Sequence, residues 1–308
     1  MFARIALLLL LGSLFPAAGL AKTIEMGPEK QYKTLTDAVG AAAEGDTVLV
    51  DAGEYFDCAN IQASNITIQG AGPDATTVFT DKACNGKALF VTAGDNIIIR
   101  NLTLTRARVQ DGNGAGIRAE GANLTVDHVK FINNQNGILA ASNPASTIII
   151  KDSEFTRNGA CNPSCAHGIY VNNIKLLRVE NSKFLETRQA HHIKSRALRT
   201  EVVNSSFIDG PNGTASYMVE VPNGGSVVVK NSTFDKGPKS ENHTGAIVIG
   251  MEGVSQPTRE LTVENNSFVN SGNYTTYFVF NQTATEAVLR GNKLKGRAEA
   301  LHGDGAVQ

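Results

Sequence analysis

Short apolar stretches alternate with polar turns along most of the chain, and one six-residue pattern recurs. It reads aliphatic, any residue, Asn, Ser or Asn, any residue, Phe, as in VENSKF (179–184), VVNSSF (202–207), VKNSTF (229–234) and VENNSF (263–268). Looser copies are VDHVKF (126–131), IKDSEF (150–155), IRNLTL (99–104) and LRGNKL (289–294). Each copy of the repeat would form one coil of the chain. A single coil cannot bury its apolar face and must stack on its neighbours, so the repeat predicts an all-β parallel solenoid.

Each unit contains a second short strand. The copies are GIR (116–118), GIL (137–139), GIY (168–170), HIK (192–194) and MVE (218–220), continued by AIV (246–248) and YFV (277–279). Because alternate residues of a strand face opposite sides, the central aliphatic residues should point inward. The flanking positions then form two outward columns on adjacent coils: Arg118, Leu139, Tyr170, Lys194 and Glu220, and Gly116, Gly137, Gly168, His192 and Met218.

A polar column is expected at one corner of every coil. Short Asn and Asp side chains tolerate left-handed backbone angles and can hydrogen-bond along a stack. The expected members are Asp127, Asp152, Asn181, Asn204, Asn231 and Asn265.

The segment before the repeats predicts a cap on the N-terminal end of the solenoid. Leu35, Ala38, Val39 and Ala42 have helical spacing. Without a cover, that end would present strand edges to solvent. We therefore expect one β-helix domain over residues 22–296, with 22–50 as its cap. The small, polar residues 297–308 predict a flexible tail.

The order of helix, GDTVLVDAGEY, ITIQGAG and Asn-Ser-x-Phe coils resembles the right-handed parallel β-helix proteins related to pectate lyases. The resemblance covers nearly all of residues 22–296 and implies a right-handed parallel β-helix. It implies less about activity, because that superfamily includes lyases, hydrolases, esterases, epimerases and non-catalytic fibre proteins.

Residues 1–21 have the plan of a secretory signal peptide, with one early arginine (Arg4), a short apolar run and small residues ending at Ala21. The run is too short and too interrupted for a membrane span. We expect a periplasmic or secreted protein that is not inserted in a membrane after signal removal. The 28 basic and 29 acidic side chains nearly cancel, which argues against a general nucleic-acid or membrane binder.

The four cysteines lie after the leader, at Cys58, Cys84, Cys161 and Cys165. In an oxidising compartment they predict two disulfides, for which three pairings exist. Cys161 and Cys165 are close in sequence, so we expect Cys161–Cys165 and Cys58–Cys84. A zinc site is the alternative, but a CxxxC pattern without further nearby ligands is weak evidence for one.

The stretch QAHHIKSRA (189–197) is the richest in ionisable side chains. The expected catalytic residues are Lys194, His192, Tyr170 and Arg196, and the expected substrate-binding residues are Arg118, His191, Glu220, His167 and Arg199. Taken singly, each has a structural explanation. Lys194 and Glu220 could form an ordinary exposed cross-strand ion pair, and either His191 or His192 could cap a turn.

This cluster suits the chemistry of uronic-acid polysaccharides. Removal of the C5 proton of a uronate requires a cation at its carboxylate, a base, and often an acid. Lys194 with Arg196 would neutralise the carboxylate, His192 or Lys194 would act as the base, and Tyr170 would donate a proton. We therefore expect an acidic polysaccharide as partner, acted on by β-elimination or C5-epimerisation without a required metal or cofactor.

Other activities of that superfamily lack their residues in this sequence. The columns contain no run of Asp and Glu for a calcium-dependent pectate lyase, and no paired aspartates for a pectin methylesterase. The chain has neither an Asp-Asp pair nor Gly-His-Gly for polygalacturonase-like hydrolysis. A non-catalytic protein that binds the polysaccharide, or assists its export or plays a structural part, is the alternative hypothesis. The sequence leaves the oligomeric state open.

Overall fold

A computed structural model describes residues 21–308, so the expected signal peptide, apart from Ala21, lies outside the described residues. The described chain contains one α-helix, one 3-10 turn and 32 strands. None of the helices in residues 21–308 is long and apolar enough to cross a membrane.

The elements follow the chain in this order: β1 (Thr23–Met26), α1 (Leu35–Ala41), β2 (Thr47–Val50), β3 (Gly53–Tyr55), β4 (Ala59–Ile61), β5 (Thr67–Gly70), the 3-10 turn (Pro73–Ala75), β6 (Thr77–Thr80), β7 (Ala88–Thr92), β8 (Ile97–Thr105), β9 (Ala115–Ala119), β10 (Leu124–Ile132), β11 (Asn136–Ala140), β12 (Asn143–Lys151), β13 (Glu154–Thr156), β14 (Ala160–Cys161), β15 (Cys165–Ala166), β16 (Ile169–Val171), β17 (Ile174–Glu180), β18 (Lys183–Leu185), β19 (Ile193–Ser195), β20 (Arg199–Val203), β21 (Ser206–Ile208), β22 (Val219–Val221), β23 (Ser226–Lys230), β24 (Thr233–Lys236), β25 (Gly245–Ile249), β26 (Leu261–Glu264), β27 (Ser267–Asn270), β28 (Thr276–Asn281), β29 (Ala287–Arg290), β30 (Lys293–Lys295), β31 (Ala298–His302) and β32 (Gly305–Val307).

The strands form a right-handed parallel β-helix, as the sequence predicts. A ten-stranded sheet takes one strand from each coil, in the order β4, β7, β9, β11, β16, β19, β22, β25, β28 and β31. A 20-stranded sheet contains all the other strands except β14 and β15. Strands pair in parallel with the next coil, as β16 does with β19. Only β14 and β15, among the described residues, form an antiparallel hairpin of their own.

The recurring phenylalanines form a continuous stack inside the solenoid. The rings of Phe131, Phe155, Phe184, Phe207 and Phe234 are fully buried. Neighbouring ring centroids lie 4.5 to 4.9 Å apart and the rings are nearly parallel. Offset aromatic stacking at this distance adds to the stabilisation from burial. The stack explains why one phenylalanine recurs in each coil.

The predicted polar corner has left-handed backbone angles in five coils. These residues have φ between 49° and 56°: Asp152, Asn181, Asn204, Asn231 and Asn265. The expectation for Asp127 is wrong by one position, because Asp127 pairs with Lys151 in the register and His128, with φ 54°, occupies the corner. The corner is the third position of the repeat, and in the less regular copy VDHVKF that position is His128.

The serine of each Asn-Ser pair bonds successive coils. Ser182 donates its backbone N–H to Ser205 Oγ at 3.1 Å, and Ser205 donates to Ser232 Oγ at 3.0 Å. Each hydroxyl therefore satisfies a buried backbone donor of the preceding coil. This ladder supplies the physical reason for the conserved spacing of Ser within the repeat.

The two ends of the solenoid differ from each other. At the N-terminal end α1 begins after Thr34, whose Oγ1 accepts the N–H of Asp37, and it buries Leu35 and Ala38. At the other end the expectation of a flexible tail over 297–308 is wrong. Strand β31 pairs with β28 and β32 with β29, because the coil geometry continues and Leu301 packs against the core.

Both expected disulfides form. Cys58 is bonded to Cys84 and Cys161 to Cys165. The second bond closes the hairpin of β14 and β15.

Candidate functional site

The outward column of the ten-stranded sheet forms as the sequence predicts. Parallel pairing aligns Arg118 with Leu139, Leu139 with Tyr170, Tyr170 with Lys194, and Lys194 with Glu220. The aliphatic residues beside them are fully buried: Ile117, Ile138, Ile169, Ile193 and Val219. Strand alternation therefore brings Tyr170, Lys194 and Glu220 onto neighbouring coils.

The expectation that the glycine column points outward is wrong for Gly116 and Gly137. A Cβ atom on Gly116 would lie 2.8 Å from the ring of Phe131, and one on Gly137 would lie 2.8 Å from the ring of Phe155. These glycines face the phenylalanine stack. They are small because an aromatic ring occupies the space that a side chain would need.

His192 is also in the core, so the prediction that it points outward is wrong. It is fully buried, and its ring meets those of Phe184 and Phe207 edge-on. Its Nδ1 lies 2.7 Å from Thr187 Oγ1 and its Nε2 lies 2.8 Å from Asp209 Oδ1. His192 precedes β19, at the bend of the coil, where strand alternation does not hold.

Lys194 is held between acids. Its Nζ lies 3.0 Å from Glu220 Oε2 and 2.5 Å from Glu252 Oε1. Burial tends to lower the pKa of Lys194, but the two carboxylates outweigh burial and the pKa is raised. In this arrangement Lys194 is therefore an ammonium ion.

Glu220 is the buried centre of this cluster. Its Oε2 also lies 3.0 Å from His191 Nε2, and only 5% of its side chain is exposed. Burial acts to raise the pKa of Glu220, but His191 and Lys194 outweigh it and the pKa is lowered. His191 Nδ1 accepts the backbone N–H of Tyr217 at 3.1 Å, so the ring directs its Nε2–H toward Glu220.

Arg196 follows the end of β19 and points to the same side as Lys194. Its Nε donates to the hydroxyl of Tyr170 at 3.1 Å, and its Nη2 lies 2.6 Å from Glu252 Oε2. Nη1 donates to Asn223 Oδ1. The intervening Ser195 is buried. The guanidinium therefore joins Tyr170 to the lysine through a shared carboxylate.

Three aromatic rings stack beside Lys194. The centroid of the His191 ring lies 5.0 Å from that of His167 and 5.0 Å from that of Tyr217. Burial, reinforced by the positive charges of Lys194 and Arg196, places the pKa of His167 well below its usual value. His167 is therefore neutral, and because its Nδ1 accepts the N–H of His191, its ring proton belongs on Nε2.

These residues surround an open cavity of about 330 Å³. Its lining includes His167, Tyr170, His191 and Lys194. The hairpin closed by the Cys161–Cys165 disulfide forms one wall, and Ser216 and Glu241 line other parts. The lining thus brings an ammonium group, a phenol and two imidazoles together at a surface recess.

Arg118 and Arg199 lie apart from this cluster. Arg118 shares the sheet face but is three coils from Lys194, and its Nε lies 3.4 Å from Glu120 Oε1. Arg199 belongs to β20 of the other sheet, where it contacts Glu201 at 2.5 Å and Glu260 at 2.8 Å. The structure therefore does not bring Arg199 to the predicted site.

Glu252, Asn223 and Tyr217 belong to the cluster but were not found from the sequence. Glu252 lies in the loop that follows β25, and Asn223 lies in the loop that follows β22. Alternation within strands says nothing about loop residues from neighbouring coils. The one available signal was the acid in the glycine-flanked GMEG (250–253).

A separate group of possible metal ligands lies at the polar corner. The ligand atoms of Asp127, His128 and Asp152 all lie within 4.8 Å of one another. Lys151 Nζ, however, lies 3.0 Å from Asp127 Oδ2 and already neutralises that carboxylate. The group is remote from the cavity in the ten-stranded sheet.

Residues 53–234 match the family described as "Right handed beta helix region". The chain belongs to this family. None of the curated protein sequences matches the chain.

Solved structures with the same fold include an alginate lyase from Paenibacillus sp. str. FPU-7, with a TM-score of 0.69 and 18% identity over 92% of this chain and 99% of that one. Another is the pectate lyase Pel9A, with a TM-score of 0.53 and 15% identity over 91% of this chain and 78% of that one. At these identities the similarity shows that the β-helix fold is shared.

Proposed function

We propose that this protein binds an anionic, uronate-containing polysaccharide along the outer face of the ten-stranded sheet and acts on it by β-elimination or C5-epimerisation. The observation that carries the proposal is the pairing of Lys194 and Arg196 beside Tyr170 at the edge of a cavity. Both cations reach one carboxylate, at 2.5 and 2.6 Å. The two β-helix proteins named above are lyases of alginate and of pectate, which supports a uronate-containing polymer as the substrate class.

The chemistry of uronates first requires neutralisation of the substrate carboxylate, and the two cations supply it. A uronate carboxylate bound by Lys194 and Arg196 loses much of its negative charge, and the adjacent C5–H becomes more acidic. A guanidinium binds a carboxylate in a fixed plane, whereas the ammonium contributes a point charge. Glu220 contacts Lys194 and is itself held by His191, so that the position of Lys194 does not depend on the ligand.

Tyr170 is the best candidate for proton transfer. His192 is buried with both ring nitrogens occupied, and Lys194 is protonated, so neither suits the role of base. The hydroxyl of Tyr170 accepts a hydrogen bond from Arg196 Nε, which orients its oxygen beside the two cations that would hold the substrate carboxylate. His167 lines the cavity with its ring proton on Nε2 and can donate to a sugar oxygen.

A binding protein without turnover is the second candidate. It is favoured by the protonated state of Lys194 and by its two acidic partners, an arrangement suited to holding a carboxylate rather than removing a proton. A part in export or assembly of the same polymer belongs to this alternative. In either case the two disulfides support a periplasmic or secreted location.

The first experiment is incubation of the protein with polygalacturonate, polymannuronate and polyguluronate, following the absorbance of unsaturated uronides. C5-epimerisation is followed in parallel by incorporation of deuterium at C5. Lys194→Ala should abolish either signal, while Lys175→Ala, an exposed lysine of β17 in the other sheet, should not.

The outcomes separate the candidates. Turnover lost only in Lys194→Ala supports the enzyme. No turnover but retention of the polymers by wild-type protein, lost in Lys194→Ala, supports the binding protein. If neither turnover nor retention occurs, the proposed substrate class is wrong.

A further inference from the structure

The carboxylate of Glu252 is held between the two cations that the proposed function assigns to a substrate. Its Oε1 lies 2.5 Å from Lys194 Nζ and its Oε2 lies 2.6 Å from Arg196 Nη2. One oxygen thus faces each cation, as the carboxylate of a bound uronate would need to do. Nothing in the strand pattern requires an acid at this point, because Glu252 comes from the loop after β25.

The two acids around Lys194 differ in how firmly they are held. Glu220 is 95% buried at its side chain and is also in contact with His191, so it acts as a fixed counter-ion. The side chain of Glu252 is 41% exposed and contacts only the two cations. Of the two, only Glu252 can leave the cations without opening the core.

The loop allows this exchange without unfolding. The backbone N–H of Glu252 donates to Pro222 O at 2.9 Å, and Gln256 Nε2 donates to Arg196 O at 2.7 Å. Gly250 and Gly253 flank Glu252 with φ of 87° and 89°, a region that favours glycine and forms the tight turn here. With the backbone anchored by these bonds, rotation of the Glu252 side chain alone would vacate the cations.

Charge balance makes the exchange necessary. The two positive charges of Lys194 and Arg196 are matched by the two negative charges of Glu220 and Glu252, which lie in direct contact with them. A further carboxylate would leave the cluster with an excess negative charge in a partly buried site, which is unfavourable. A bound uronate therefore has to replace Glu252 rather than join it.

We propose that Glu252 is an internal stand-in for the substrate carboxylate, which a uronate displaces on binding. This inference rests on the proposed function of the site. It specifies the ligand group as a carboxylate held by both cations, and it makes Glu252 a residue that weakens binding of single sugars. A polymer, which gains further contacts along the sheet, offsets the cost of displacing it.

The test compares wild-type protein with Glu252→Gln, which keeps the shape of the side chain and removes its charge. Glu260→Gln is the matched control, because Glu260 is also partly exposed and paired with an arginine, Arg199, in the other sheet. Calorimetric titration with uronate tetrasaccharides should give about tenfold tighter binding for Glu252→Gln, equivalent to about 1.4 kcal/mol, and no change for Glu260→Gln. Equal or weaker binding by Glu252→Gln would overturn the inference.

A second ligand keeps this test separate from that of the proposed function. Sodium acetate is titrated into each variant while the amide resonances of residues 193–196 are followed by NMR. If no uronate binds but acetate shifts these resonances at about tenfold lower concentration in Glu252→Gln than in wild type, the proposed function fails and the stand-in role holds. If acetate also does not distinguish the variants, the stand-in role is wrong.

Discussion

At the scale of single residues, burial separates side chains that the sequence groups together. His192 and Lys194 are two positions apart in one stretch, yet His192 lies among phenylalanine rings and Lys194 lies at the cavity. In the proposed reaction, the role of proton transfer is therefore assigned to Tyr170 instead of His192. The residue types expected for uronate chemistry are present, but their roles are distributed differently from the sequence-based expectation.

Replacing Tyr170 with Phe tests this assignment. If Tyr170 transfers the proton, kcat should fall at least about 100-fold, while the Kd for oligouronates should change less than about threefold, because the cations that bind the carboxylate remain. Tyr277→Phe, on the same sheet in β28, is the control and should keep full turnover. Undiminished kcat in Tyr170→Phe would show that another group moves the proton.

A buried lysine lies near the acid that holds His192. Lys236 is fully buried and donates to Ser216 O and Ser240 Oγ, both at 2.7 Å. Burial lowers its pKa from 10.5 to about 8, although the nearby charge of Asp209 acts in the opposite direction. At pH values between about 8 and 10.5, Lys236 is therefore a neutral amine in the folded state and an ammonium ion in the unfolded chain.

This shift predicts a pH-dependent stability. Between pH 8 and 10.5 the unfolded chain binds a proton at Lys236 that the folded chain releases, so the free energy of unfolding should rise with pH, by up to about 1.4 kcal/mol per unit. The gain is complete above pH 10.5 and is lost as the pH falls to 8. Urea unfolding from pH 8 to 9.5 measures it. Lys236→Met should remove the rise that Lys239→Met retains, and parallel slopes in all three proteins would contradict the prediction.

At the scale of elements, the two disulfides constrain segments of very different length. Cys58–Cys84 spans a sequence separation of 26 and Cys161–Cys165 one of 4. Only the second forms a wall of the cavity. The hairpin of β14 and β15 should therefore matter more to the site, and the longer link more to global stability.

Paired Cys→Ser variants test this division. Chain-entropy estimates give a loss of about 3.5 kcal/mol for the longer link and about 2 kcal/mol for the shorter one. Chemical unfolding should rank them in that order. Affinity for oligouronates, in contrast, should fall more in Cys161→Ser/Cys165→Ser than in Cys58→Ser/Cys84→Ser. If affinity falls less in Cys161→Ser/Cys165→Ser than in the other pair, the hairpin is not a wall of the binding site. The reverse order of stability would contradict the chain-entropy estimate.

At the scale of the whole molecule, stacking makes every coil depend on its neighbours, and the first coil depends on α1. Leu35 and Ala38 of this helix are fully buried against the core. The helix thus covers apolar surface and strand edges that would otherwise be available to a second chain.

Leu35→Asp should uncover that end. A charge at this buried position should loosen the helix, so that sedimentation velocity detects self-association at concentrations where wild-type protein shows less. Gly40→Asp, at an exposed position of the same helix where a Cβ atom would meet nothing within 4 Å, is the control and should sediment as wild type does. Unchanged sedimentation of folded Leu35→Asp would show that α1 is not needed to prevent end-to-end contact.

The sequence alone determined the coil repeat, the inward aliphatic column, the outward neighbours Tyr170, Lys194 and Glu220, and both disulfide pairs. These follow from local rules, because strand alternation and parallel stacking carry one coil into register with the next. The tertiary structure alone decided that His192 and the glycines face the core, that residues 298–307 continue the sheets, and that Glu252 reaches the cations from a loop two coils ahead. His192 lies at a bend and Glu252 in a loop, where strand alternation does not hold, so the direction of their side chains depends on the space that neighbouring coils leave.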